Sequence, residues 1–385
     1  MSKSDLSRSV FRPNRRTFLT GAMGAAFLAG CSSSAEKPVG GGSGGSGGSA
    51  DVDAAIDWAG TNLPNLSPDI IRKAAEEGEV TLTLQLFGDE AWRQLHDAFT
   101  KRFPFIKVNA TTQSVVQLMQ KFTAELNAKR GIGDIFILES PAVMPEFVED
   151  GSIAEFEISE DSGFAGANKE SGYWYAFHRQ FGVSVYRKGD LPEEEVELLR
   201  TWEGLGDPRF RGRLGITDVT SGIASTQSYA LQNQAEAGLW EGLAANKPTV
   251  KPAVAAALDG LLAGEYDATV MASIATTNRT AKAGAPLEFV ESSPGASNNP
   301  PQVISAIAPH PNAARVYQDW SLSKEAQQAW PGLSGVPSAR TDITSETWYS
   351  EESWYHAAEE SIEVDWPDFV TKHKSVVDAY NNAFK

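Results

Sequence analysis

Cysteine is almost absent: the 385 residues hold one, Cys31. A single thiol excludes an intrachain disulfide framework and any cysteine-rich metal site. Histidine is scarce as well. His96, His178, His310, His356 and His373 are scattered, with no His-x-x-x-His pair and no Glu-x-x-His helix motif. No metal or other cofactor is therefore expected. Basic residues are outnumbered, 33 Lys and Arg against 50 Asp and Glu, for a formal net charge of -17. Such a chain repels phosphate backbones, so a nucleic-acid partner is not expected. No phosphate loop and no nucleophile–base pair stand at motif spacing, which argues against an enzyme. Gly41-Gly42-Ser43-Gly44-Gly45 matches Gly-x-Ser-x-Gly in letters only, because no strand precedes it and no helix follows.

Long apolar runs are also missing. The stretch from Leu19 to Leu28 is too short to span a bilayer and is rich in Gly and Ala. It follows Arg15-Arg16-Thr17-Phe18-Leu19, in the order of a twin-arginine export signal. Leu28-Ala29-Gly30-Cys31 then looks like a lipoprotein processing site. The expectation is a signal peptide over 1–30, with cleavage before Cys31 and acylation of its thiol. The lipid would tie the exported protein to the outer face of the cytoplasmic membrane, or leave it in the periplasm. Residues 31–50 are Gly/Ser-rich, a flexible tether with an r.m.s. reach of roughly 25 Å.

What is present beyond the tether is a well-patterned body. Hydrophobic residues make up 41% of the chain, enough for a real core. Ser67-Pro68-Asp69-Ile70 is a helix start with a cap and a proline in the first turn. Val80 to Leu86 alternates as a strand, and 89–102 has Trp92, Leu95 and Phe99 on one helical face. Phe105 to Ala110 and 134–138 read as strands. Ser114 to Arg130 is an amphipathic helix. Further on, 181–187, 215–218, 268–272 and 302–308 are strand-like, while 221–236, 251–263, 312–330 and 366–384 are helical. Strand and helix alternate, the mark of an α/β protein with mostly parallel sheets.

Residues 79 to 345 resemble the bacterial extracellular solute-binding proteins of ABC importers, on the branch that includes the ferric-ion-binding proteins. The likeness runs from Trp174-Tyr175-Ala176-Phe177 through Val183-Ser184-Val185-Tyr186. It continues in Thr201-Trp202-Glu203-Gly204-Leu205-Gly206-Asp207-Pro208-Arg209-Phe210-Arg211-Gly212. Gly264-Glu265-Tyr266-Asp267-Ala268 and Ser323-Lys324-Glu325-Ala326-Gln327 add to it. The resemblance implies a two-lobed periplasmic-binding-protein fold (type II, Venus-flytrap) with two hinge crossovers, near Phe177–Gly182 and Pro286–Gln302. Lobe 1 would take 79–176 plus 303–345, lobe 2 would take 183–300, and 346–385 would be a C-terminal helical extension. The implied partners are a small-molecule ligand, an ABC permease and its ATPase, and the membrane through the lipid on Cys31. A monomer is expected.

In such a fold the ligand meets helix N-termini at the strand ends. Phe87 and Gly88 follow the first strand, Ser114 opens the amphipathic helix, and Thr220, Ser221 and Gly222 open a helix of the other lobe. Ser140 follows the strand at 134–138. Phe177 and Arg179 stand at the first crossover, where a guanidinium can grip a carboxylate or phosphonate through two hydrogen bonds. Ser273, Thr276 and Thr277 follow the strand at 268–272. Ferric-binding members of the family carry two adjacent tyrosines about there, and this chain has no adjacent tyrosine pair anywhere. The hydroxyls of Thr276 and Thr277 suit a small organic anion. Ferric iron or an iron chelate is the alternative, with an enzyme or a structural envelope lipoprotein as further ones.

Overall fold

The folded body opens with helix α1 (Ser49–Asn62) and helix α2 (Pro68–Glu77). Ser67 caps α2, its Oγ accepting from Ile70 N at 3.3 Å, and Gly78 closes the helix at φ 72°. α1 lies where the sequence suggests tether and loop. Its buried face is only Ala55 and Ala59, a pattern too weak to read as amphipathic. The computed structural model describes residues 48–85, 89–113, 115–138, 141–220, 222–234, 238–290, 295–343, 361–362 and 364–385.

Next come β1 (Glu79–Gln85), α3 (Asp89–Arg102), β2 (Lys107–Gln113), α4 (Val115–Ala128), β3 (Ile135–Ile137), α5 (Met144–Glu149), β4 (Lys169–Glu170) and β5 (Trp174–Ala176). A second run holds β6 (Gly182–Arg187), α6 (Glu193–Leu198), β7 (Leu214–Thr217), α7 (Gly222–Gln234) and α8 (Leu239–Ala245). It continues with β8 (Thr249–Lys251), α9 (Val254–Ala263), β9 (Ala268–Ser273), α10 (Ile274–Lys282) and β10 (Leu287–Phe289). The chain finishes with β11 (Gly295–Ala296), β12 (Pro301–Ile304), α11 (Pro311–Ser321), α12 (Lys324–Ser334), β13 (Ser361–Ile362) and α13 (Trp366–Ala383).

The strands form two principal sheets, one per lobe. The first has the order β2-β1-β3-β12-β5-β4 and the second β10-β6-β9-β7-β8. Both are mixed, not mostly parallel. β1 is parallel to β2 and β3, but β12 is antiparallel to both β3 and β5. β7 is parallel to β8 and β9, while β6 runs antiparallel to β9 and β10. The antiparallel members are the strands that flank the lobe-to-lobe connections, which must run against the βα units they join.

The expected single helix over 312–330 is two helices. Ser323 interrupts the apolar pattern: its Oγ accepts from Ala326 N at 3.4 Å and starts α12 afresh. The expected strand at 105–110 is displaced to β2, paired in register with β1 from Glu79↔Lys107 to Gln85↔Gln113.

Each lobe has its own core. Trp92, Phe99, Phe177, Tyr317, Trp320 and Trp330 anchor the first. Ile216, Leu243, Val270, Val376 and Tyr380 belong to the second. Val376 and Tyr380 come from α13, so the last helix completes the second core, while it also touches residues 141–143 of the first lobe. Tyr229 Oη donates to Asp368 Oδ2 at 2.7 Å, and Trp240 meets Tyr380 edge-on at 5.5 Å.

The chain crosses between the sheets at 177–181 and again at 295–300. Because α12 packs on the first lobe and α13 on the second, it passes a third time after Ile343. The crossings are knitted together. Phe177 N donates to Pro300 O at 2.8 Å, Asn298 N to Gln180 O at 2.8 Å, and Arg179 N to Pro337 O at 2.9 Å. Residues 177–181 thus run between 297–300 on one side and 337–338 on the other.

Candidate functional site

The carboxyl end of β9 and the first crossover bring polar side chains together. Ser273 ends β9 and stands at the N-cap of α10, where its side chain makes no capping bond. Its Oγ instead donates to Gln180 Oε1 on the crossover at 3.1 Å. Gln180 also lies 3.4 Å from His178 Nε2 through its amide nitrogen, and its backbone N donates to Asn299 Oδ1 at 3.2 Å. Asn299 Nδ2 donates in turn to Asn168 Oδ1 at 2.6 Å. Gln180 therefore joins the first lobe, the second crossover and the start of α10.

α10 follows directly. Ile274, Ala275, Thr277 and Asn278 are its buried face; Thr276, Arg279 and Thr280 are half-buried. Ser273, Thr276 and Arg279 recur at intervals of three, so they share one face of the helix. Burial pushes the Arg279 guanidinium down from its ordinary value. It lies near His178: the fully buried imidazole is held down to about 3, first by desolvation and then by the charge of Arg279. His178 is a neutral ring stacked on Trp330, with centroids 6.2 Å apart and planes 20° apart.

The residues expected to hold ligand fall into three groups. Phe87, Gly88, Ser114, Ser140 and Ser221 lie outside the described residues, as does Cys31. Arg179 lies on the first crossover, Ser273 bonds to it through Gln180, and Thr276 stands one turn along α10 from Ser273. The Arg179 guanidinium lies over the Phe181 ring, 4.8 Å from its centroid. The others stand elsewhere. Phe177 is in the first-lobe core, between Trp92 at 5.2 Å and Trp330 at 5.0 Å. Thr277 is fully buried, and its Oγ1 has no hydrogen-bond partner among the described residues. Thr220 is exposed, with its backbone N and its hydroxyl both donating to Asp218 Oδ1, at 2.8 and 2.5 Å. Gly222 opens α7, beyond the end of β7.

Sequence reasoning missed Gln180, Arg279 and Asn299. Arg279 carried a signal, since it stands three residues after Thr276 and must share its helical face. Asn298-Asn299-Pro300-Pro301 carried another, paired amides ahead of a proline pair at the second crossover. The amides act through long-range pairing, which spacing alone does not show.

Residues 89–331 match the family model of the bacterial extracellular solute-binding proteins. No curated protein sequence matches the chain. Among solved structures, the substrate-binding protein of an ABC transporter from Agrobacterium tumefaciens aligns with a TM-score of 0.65 at 15% identity, covering 80% of this chain and 94% of that one. Iron-bound HitA from Pseudomonas aeruginosa aligns at 0.61 and 16% identity, covering 79% and 99%. The Trichodesmium protein IdiA (FutA), in complex with iron and citrate, aligns at 0.61 and 15%, covering 80% and 99%. At these identities the likeness is one of fold, the two-lobed fold of periplasmic binding proteins. The family match covers more than half of the chain and reaches into both lobes, and the protein belongs to the bacterial extracellular solute-binding protein family.

Proposed function

We propose that the protein is the substrate-binding component of an ABC importer and that its cargo is a small organic anion, a carboxylate or phosphonate. The observation that carries the cargo class is the Ser273–Thr276–Arg279 face of α10 beside the first crossover. It offers two hydroxyls at the N-terminal end of a helix, whose free N–H groups and dipole also favour negative charge, and a guanidinium in the last turn of the same helix. Arg179 supplies a second guanidinium from the crossover itself. A partly desolvated arginine is stabilised by an anion that shares its site, and a bidentate grip adds direction. Contact with both the crossover and the second lobe would favour the closed arrangement when cargo is present.

Ferric iron or an iron chelate is the second reading, favoured by the iron held in HitA and in the Trichodesmium protein. Several tyrosine hydroxyls of this chain are engaged away from the crossover. Tyr175 Oη donates to Asp161, Tyr186 to Glu288, Tyr229 to Asp368 and Tyr266 to the Ala257 carbonyl. Among the described residues, no group of three or more His, Cys, Asp and Glu is placed to hold a metal ion.

Export by the twin-arginine route and acylation of Cys31 complete the proposal, keeping the protein at the outer face of the cytoplasmic membrane beside its permease. In the native host, Cys31→Ser should move the protein from the membrane fraction to the soluble one. Calorimetric titration with carboxylates and phosphonates tests the cargo. Arg279→Ala should weaken the bound anion by about ten- to a hundred-fold, the usual worth of a charged hydrogen bond. Unchanged affinity would remove Arg279 from the site.

A further inference from the structure

By chain order α10 is a second-lobe helix: it leaves β9 and returns to β10. Its buried side, however, rests on the first lobe. Asn278 is fully buried, and its Nδ2 donates to Gly335 O at 2.7 Å. One turn further on, Lys282 Nζ donates to Gly332 O at 3.2 Å. Both acceptors lie at the C-terminal end of α12, where carbonyls lack partners within their own helix. The two cores divide within this stretch. Ile274 packs with Phe181 and Val183 of the second lobe, while the next residue, Ala275, packs in the first-lobe core that holds Trp330.

We infer that α10, seated on the end of α12, is the fulcrum on which the lobes turn, and that Asn278 is the positioning residue that sets their resting separation. The paired crossovers form a hydrogen-bonded ribbon between the lobes. A ribbon alone leaves the angle and twist loosely fixed. The α10–α12 contact supplies a further point of support beside it, in addition to the touch of α13 on residues 141–143 of the first lobe. A side-chain amide bonded to a backbone carbonyl tolerates rotation better than separation, and breaking it costs a fully buried hydrogen bond. The contact is therefore kept while the lobes pivot. The same helix carries Ser273, Thr276 and Arg279 on the adjoining face, so cargo drawn onto that face acts directly on the pivot. This last link rests on the cargo reading above; the fulcrum itself does not.

Pulsed electron spin resonance on ligand-free protein tests the fulcrum alone. The full chain would carry Cys31→Ser, with spin labels at Glu149→Cys in the first lobe and Glu194→Cys in the second, both exposed positions. Asn278→Ala should shift or broaden the interlobe distance distribution, and Lys282→Ala should do so in the same direction to a smaller degree. If Asn278→Ala melts earlier but keeps the parent distribution, Asn278 is a packing residue and the inference fails. If Asn278→Ala does not fold, Lys282→Ala at the exposed end of the contact decides the matter, and an unchanged distribution there overturns it. No ligand enters the measurement, so an error in the cargo class would leave its result readable.

Discussion

His178 and Asp319 are buried groups that respond to acid in opposite directions. Desolvation, aided by Arg279, holds the His178 imidazole at about 3, against an ordinary 6.5. Between those values the unfolded chain binds a proton that the folded chain refuses, so this group's contribution is present above pH 6.5 and lost as pH falls toward 3. His96, pushed down to about 4 mainly by burial, acts with the same sign. Asp319 is raised to about 6 by burial, although Ser159 N and Oγ donate to it at 2.8 and 2.6 Å. Here the folded chain binds the extra proton, so its contribution is full below pH 3.8 and lost as pH rises through about 6. Asp319→Asn keeps the shape and removes the buried charge. Urea denaturation should find the variant more stable than the parent at pH 8, with the gap closing below pH 5. A constant gap would mean that Asp319 does not titrate in this range. At this scale the sequence was partly legible. Arg179, Ser273 and Thr276 could be placed by following strand ends and helix starts. Arg279 shares a helical face with Thr276 in the sequence, but only the fold shows that this face lies beside His178.

At the scale of elements, the crossovers depend on close backbone approach. A Cβ on Gly295 would stand 2.2 Å from Gly182 O, and one on Gly182 would stand 2.4 Å from Gln227 Oε1. That same Gln227 oxygen accepts from Ala296 N at 2.5 Å, tying α7 to the second crossover. Gly295→Ala must push the two connections apart, at an expected cost of about 1–3 kcal/mol. Gly166→Ala, where a Cβ meets nothing within 4 Å, should stay near the parent in the same denaturation series. Equal stability of both variants would mean the crossovers can separate freely. Long elements with strong periodicity were legible: α3, α9 and α13 end where their apolar pattern ends. The short strands β4, β10 and β11 were not, because two or three residues carry no period and are defined by partners far away in sequence. The break between α11 and α12 turned on one capping serine inside an apolar pattern.

For the whole molecule, the order of βα units and the resemblance made two lobes legible, but not the third passage of the chain. Residues 364–385 return to complete the second core, where Val376 and Tyr380 are buried against α7 and α8. Deleting them should expose that core, seen as binding of a hydrophobic dye and early melting. A deletion that melts like the parent would make α13 dispensable. The central claim is that the cargo is an organic anion gripped by guanidinium groups. A thermal-shift screen with carboxylates, phosphonates, amino acids, sugars and ferric citrate tests it most directly. Saturation at a hundred times Kd stabilises the folded state by about 2.7 kcal/mol, roughly 5 °C for a body this size. The account expects such a shift with one class of organic anion, full in the parent and cut to about half or less in both Arg179→Ala and Arg279→Ala. A shift with ferric iron alone, retained in both variants, would contradict it.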